Sequence, residues 1–64
     1  MRVKYNKEND ILLILLSDKK VYESDQEKKD MIIDYDAEGK IIGIEILNAS
    51  KNILSPTKME YEIA

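Results

Sequence analysis

Apolar residues recur along this chain in short runs separated by polar clusters, with the period of strands rather than of helices. Residues 2–5 alternate, placing Val3 and Tyr5 on one face. Residues 6–10 make a polar turn. Residues 11–16 are apolar without interruption. A half-exposed strand should alternate, so this run predicts a strand covered on both faces, by its own sheet or by another chain. In that strand Leu12, Ile14 and Leu16 face one way, and Ile11, Leu13 and Leu15 the other.

Residues 17–20 predict a hairpin turn, and residues 21–24 a third strand whose polarity suits a sheet edge. The wholly polar residues 25–30 predict a loop. Residues 31–35 predict a fourth strand. Residues 40–47 predict a fifth, with Ile42, Ile44 and Ile46 on one face and Ile41, Gly43, Glu45 and Leu47 on the other. Asn48 reads as the N-cap of a helical turn or two over residues 49–54, stopped by Pro56. Residues 58–63 alternate Met59, Tyr61 and Ile63, the pattern of a sixth, edge-pairing strand or of a frayed terminus. The expected fold is α+β and mainly β: an antiparallel five-stranded meander followed by a short C-terminal helix. It occupies residues 1–55 as one domain, with a tail over residues 56–64.

Composition makes that domain hard to stabilise alone. A chain of 64 residues buries only about 60% of the surface its unfolded form exposes. Disulfides, metals or partner subunits usually make up the difference. With no cysteine and no histidine, disulfides, thiolate metal sites and the usual zinc ligand and general base are all excluded. Association is the remaining device, and a homodimer is the expectation. The core is aliphatic, with ten isoleucines, six leucines and no phenylalanine or tryptophan. Ten basic against thirteen acidic residues give a net charge of −3, and the basic residues do not cluster, which argues against nucleic-acid binding. The longest apolar run, six residues, is too short to span a bilayer, and none of secretory length follows Arg2 and Lys4. A cytoplasmic protein with no membrane partner is expected.

The segment from Asp34 to Glu45 carries the most chemistry. Its letters match a calcium-binding EF-hand loop, with carboxylates at Asp34, Asp36 and Glu38, glycine at Gly39 and glutamate at Glu45. Its flanks, however, have the period of strands, not of the two helices such a loop requires. In an extended chain Glu45 lies about 20 Å from Gly39, at ~3.3 Å per residue, too far to close a cage. The same letters fit a type I turn with a bulge, in which Asp36 accepts local N–H bonds and Gly39 takes the left-handed conformation. Asp34 is then a solvent-side strand residue, and Gly43 marks a bulge or the close approach of a neighbour such as Tyr35. Asp34 and Asp36 leave one strand in the same direction. A carboxylate-based cation binder or hydrolase at Asp34, Asp36 and Glu38 is therefore the alternative function. Ser17, Ser24, Ser50 and Ser55 have no histidine to activate them.

Val3, Tyr5, Asp10, Leu12, Ile14, Leu16, Ser17 and Asp18 fit the pattern V-x-Y-x-x-x-x-D-x-L-x-I-x-L-S-D. Asp34, Tyr35, Asp36, Gly39, Ile41, residues 43–47, Ala49 and Ser50 fit D-Y-D-x-x-G-x-I-x-G-I-E-I-L-x-A-S. On these residues, across positions 2–54, the chain resembles DUF2283, a family of small prokaryotic domains of unknown function. The resemblance implies an α+β sheet closed by a short helix, no assigned activity and no cofactor. It also implies an antitoxin-like role beside a small basic protein partner. Leu13 and Leu15 stand where the family often carries a tyrosine and an arginine or other polar residue, which adds apolar surface to one face of the strand. The leading expectation is thus a non-enzymatic interaction module. It self-associates, or binds a small protein, through Ile11, Leu13 and Leu15.

Overall fold

Five strands and one helical turn form in the computed structural model, which describes all residues Met1–Ala64. They are β1 (Arg2–Asn6), β2 (Ile11–Leu15), β3 (Glu23–Lys28), β4 (Met31–Tyr35), β5 (Ile41–Ile46) and α1 (Ala49–Asn52). All pairings are antiparallel, and the strand order is β1-β2-β5-β4-β3. The sheet is therefore mainly β and antiparallel, but its order is not the sequential one of a simple meander. A β1–β2 hairpin docks against a β3–β4–β5 meander through β2 and β5.

β2 lies between β1 and β5 rather than beside β3, so it is paired along both edges, while both of its faces stay half-buried. Residues 17–20 are accordingly not a hairpin turn. They belong to the connection that carries the chain from β2 to the opposite edge of the sheet. β3 also lies further along than its polarity indicated: residues 25–28, expected as loop, are strand, paired with β4 through Asp25↔Ile33, Gln26↔Ile32 and Lys28↔Met31. Every residue of β3 is exposed. An edge strand with both faces in water has no alternation to reveal it, and the charges that hid it are those that protect such an edge.

Cross-strand register sorts the side chains into two faces. One carries two apolar rows, Val3–Ile14–Ile44–Ile33 and Tyr5–Leu12–Ile46–Met31. The other carries Arg2–Leu15–Gly43–Asp34–Ser24 and Lys4–Leu13–Glu45–Ile32–Gln26. No second sheet and no long helix packs over either face. The only buried hydrophobic residues are Ile33, Ile42 and Ala49, and no large side chain is fully enclosed. All five residues of β2 are half-buried. Domains ordinarily close a core between two layers; this chain supplies one.

The helical turn is shorter than residues 49–54, and its capping differs from expectation. Asn48 adopts a left-handed conformation (φ 50°) and makes no side-chain cap bond. The free N–H groups are instead taken by Asp10, whose carbonyl accepts from Ala49 at 2.9 Å and whose carboxylate accepts from Ser50 at 3.0 Å. The tail forms no sixth strand: residues 57–64 are exposed throughout. No helix is long and apolar enough to cross a membrane.

Candidate functional site

The motif segment divides between two places that do different things. Asp36 directly follows β4 and organises the turn there. Its main-chain N–H donates to the Lys40 carbonyl at 2.9 Å, and the Gly39 N–H donates to the Asp36 carbonyl at 3.0 Å. One carboxylate oxygen, Oδ1, accepts from the Glu38 and Lys40 N–H groups, each at 2.9 Å. Gly39, at φ 82°, takes the left-handed position that closes the turn. The Lys40 and Glu38 amides hold the Asp36 carboxyl below its ordinary value of 3.8, against the opposing effect of burial. Its second oxygen, Oδ2, is buried without a hydrogen bond, and Lys19 Nζ stands 3.9 Å from it. Glu38 is exposed and faces the same lysine at 3.8 Å.

Asp34 is not the solvent-side residue that strand alternation implied. It is 6% exposed, on the face that carries Leu13 and Leu15. The Ser24 hydroxyl on β3 donates to its Oδ1 at 2.5 Å. Opposite it on β5, Gly43 leaves the room its carboxylate occupies: a Cβ there would lie 3.0 Å from Asp34 Oδ2. The close approach at Gly43 is thus made by Asp34 and not by Tyr35. Tyr35 belongs to the other face, where burial and then the charges of Glu27, Asp25 and Glu23 raise its hydroxyl above the ordinary 10.0. Glu45 stands diagonally across from Asp34. Burial first, and then the adjacent Asp34 charge, raise its carboxyl above the ordinary 4.5.

Asp34 and Glu45 therefore form a carboxyl pair on a half-apolar face, while Asp36 serves its own turn and Glu38 lies in water. Asp34 and Asp36 do not act as a facing pair. No group of three or more carboxylates gathers as a metal site would require. The shallow depression nearest the turn is lined by Tyr22, Glu23, Asp25, Tyr35, Asp36, Ala37 and Gly39, and neither Asp34 nor Glu45 reaches it. Ile11, Leu13 and Leu15, expected as interface, do share one face of β2, in register with Gly43 and Glu45 at Leu15 and Leu13.

Sequence reasoning missed a third polar cluster, where two turns grip α1. Asp10 Oδ1 accepts the Tyr5 hydroxyl at 2.6 Å, and its Oδ2 accepts the Ser50 hydroxyl at 2.7 Å. Asp30 accepts from Asn48 Nδ2 and Asn52 Nδ2, each at 3.1 Å, and its carbonyl accepts the Leu47 N–H at 2.9 Å. Both aspartates end a hairpin turn with positive φ, 55° and 62°. Their donors hold both carboxyls below the ordinary 3.8, Tyr5 first for Asp10 and Asn52 first for Asp30. The readable signal was an aspartate directly before an apolar strand, repeated at Asp10-Ile11 and Asp30-Met31.

The residues that carried the family resemblance fall on these clusters: Tyr5, Asp10 and Ser50 on the helix tie, Asp36 and Gly39 on the turn, and Asp34, Gly43 and Glu45 on the carboxyl pair. Residues 2–50 match the family described as "Protein of unknown function (DUF2283)". Among curated proteins, an uncharacterised protein of Methanocaldococcus jannaschii, MJ0789, is 43% identical over 54 residues, covering 80% of this chain. The match covers 43% of that relative, so the chain spans less than half of its length. No solved structure matches the chain significantly. With the match running through all five strands and into the helical turn, the chain belongs to the DUF2283 family.

Proposed function

We propose that this protein is a self-associating interaction module whose sheet is completed by a second copy. One observation carries the reading: a single-layer sheet leaves two rows of large apolar side chains, half-buried in every case but Ile33, with no second sheet or long helix over them. Val3, Ile14, Ile33 and Ile44, with Tyr5, Leu12, Met31 and Ile46, make two adjoining uncharged rows across four strands, and charges enter them only at the β3 edge, at Asp25 and Lys28. Covering each half-exposed side chain contributes about 1 kcal/mol, half the value for full burial. The molecule measures 32 × 30 Å in its two longer dimensions, enough to bury the roughly 800 Å² per partner of a standard interface. Two such faces stacked would form a sandwich with a core about 10 Å thick.

Sedimentation equilibrium of the intact chain at micromolar concentration tests this. A particle of twice 7.4 kDa that reverts to monomer on Ile14→Glu or Ile44→Glu substitution supports it. A folded wild-type monomer at that concentration disposes of it.

A second reading concerns the opposite face, with Ile11, Leu13 and Leu15, and is favoured by the Asp34–Glu45 pair. The chain's ion pairs involve Lys19 alone, so none of its own cations neutralises these carboxyls. Lys4 is in the same row but two strands from Glu45, about 10 Å at ~4.8 Å per strand. An apolar stripe beside two uncompensated carboxyls suits a small basic protein, the antitoxin-like version of the module. Such a protein, encoded beside this chain, should co-purify with it and be lost on Glu45→Lys substitution. A gene with no such neighbour counts against it.

A further inference from the structure

Residues 58–63 read Lys58-Met59-Glu60-Tyr61-Glu62-Ile63 and join no strand. Met59, Tyr61 and Ile63 are 62%, 72% and 85% exposed. Large apolar side chains at every second position, held in water, are the pattern of a strand without a sheet. The sheet has two unpaired edges, the outer sides of β1 and β3. We infer that this segment of one copy adds as an antiparallel sixth strand to the outer edge of β1 in a second copy. The inference rests on the self-association proposed above and specifies a tie between the two chains.

Charge and face select the edge. On β1, Val3 and Tyr5 begin the two apolar rows, while Arg2 and Lys4 border the other face. Antiparallel pairing with Tyr61 opposite Val3 places Met59 opposite Tyr5, extending both apolar rows by one strand. The same register sets Glu60 opposite Lys4 and Glu62 opposite Arg2. Opposite charges facing one another across a strand pair are stabilising, and like charges are not. On β3 the match fails, because Glu23, Asp25 and Glu27 surround Tyr35 on that face and would meet the arm's apolar side. Antiparallel addition continues the pattern of every other pair in the sheet and is the more stable per residue. The arm leaves its own β1 unpaired: its main-chain bond runs from the Lys58 N–H to the Ser55 carbonyl, at 3.0 Å.

The chain contains no cysteine, so introduced thiols report cleanly. A tagged Lys4→Cys chain and an untagged Glu60→Cys chain are mixed at micromolar concentration and treated with a short bis-maleimide linker. The expected product is the mixed pair, in preference to either self-linked pair. In the Lys4→Cys/Glu60→Cys double variant, linkage only within single chains would mean that the arm closes on its own β1, which overturns the inference. Sedimentation supplies a second readout. Glu60→Lys with Glu62→Lys turns two attractive pairs into repulsive ones and should weaken the dimer about tenfold. Arg2→Glu with Lys4→Glu in that same chain should restore it. A wild-type dimer that yields no mixed product and is unmoved by the charge reversal overturns the arm while leaving the sheet-face dimer standing. A monomeric wild type overturns both.

Discussion

Asp34 and Gly43 are one fitted pair: the carboxylate on β4 presses close against the place where a side chain on residue 43 would begin. A Cβ on residue 43 would stand 3.0 Å from Asp34 Oδ2, 3.5 Å from Asp34 Cβ and 3.6 Å from the Ile14 carbonyl oxygen. The last two are ordinary contacts, so the conflict is with the carboxylate alone. That carboxylate is not free to swing, because Ser24 holds its other oxygen. Gly43→Ala should therefore destabilise by about 1–3 kcal/mol, the cost of overpacking a filled site. In an Asp34→Ala background the same change should cost far less. Chemical denaturation of the four proteins of this cycle gives the coupling directly. Additive effects would mean that the two residues do not share the space.

Glu45 and the aspartates of the turns should pull stability in opposite directions with pH. Glu45 titrates above its ordinary 4.5 in the fold, so the folded state keeps a proton that the unfolded chain has released. Its contribution is fully present below 4.5 and is lost as pH rises through the raised value. Asp10, Asp30 and Asp36 titrate below 3.8, so their contribution is present above that value and is lost as pH falls. Maximum stability should lie in the mildly acidic window between the two effects. Glu45→Gln should remove the decline on the neutral side and raise the melting temperature at pH 7. Thermal melts from pH 3 to pH 8 check both signs, and an unchanged profile in the variant would exclude Glu45 as the source.

Asp10 and Asp30 should each unfasten α1 without unfolding the sheet. A four-residue helix cannot persist on propensity alone, since even isolated helices of about 12–15 residues are marginal in water. It is held by Asp10 at Ser50 and by Asp30 at Asn48 and Asn52. Asp10→Ala should speed amide hydrogen exchange at Ala49 and Ser50, while the amides that pair β4 with β5 stay protected. Asp30→Ala should expose the Leu47 end in the same way. Equal loss of protection across the sheet in either variant would mean that the helical turn and the sheet are one cooperative unit.

What could be read from the chain was set by alternation. β1, β4 and β5 were legible as short apolar runs with the composition and period of strands, and β2 because its unbroken apolar run called for cover on both faces. β3 was displaced because Glu23, Ser24, Asp25, Gln26, Glu27 and Lys28 are all exposed and carry no period. Strand order was hidden for a related reason. Nothing in residues 16–22 distinguishes a turn back to β2 from a passage to the far edge. Of the candidate site, the turn at Asp36 and Gly39 was readable because its chemistry is local, within four residues. The Ser24–Asp34 bond, the Asp34–Glu45 pair and the Asp10–Ser50 tie span 10, 11 and 40 residues of chain. Only the register of a folded sheet brings them together.

That local turn offers the simplest substitution. Gly39 sits at φ 82°, and no atom lies within 4 Å of the place a Cβ would occupy. Space is not the constraint there; backbone conformation is. Gly39→Ala should cost about 1–2 kcal/mol, the penalty for an L-residue forced into the left-handed region. Gly39→Asn should cost less, because asparagine visits that region through local hydrogen bonds. Asp36→Asn keeps an oxygen to accept the Glu38 and Lys40 N–H groups but removes the charge beside Lys19. It should therefore preserve the turn while flattening the part of the acid-side loss of stability that Asp36 contributes. Denaturant midpoints for Gly39→Ala and Gly39→Asn give the order. A cost for alanine no greater than for asparagine would mean that residue 39 relaxes to negative φ, with the β4–β5 register moving to accommodate it.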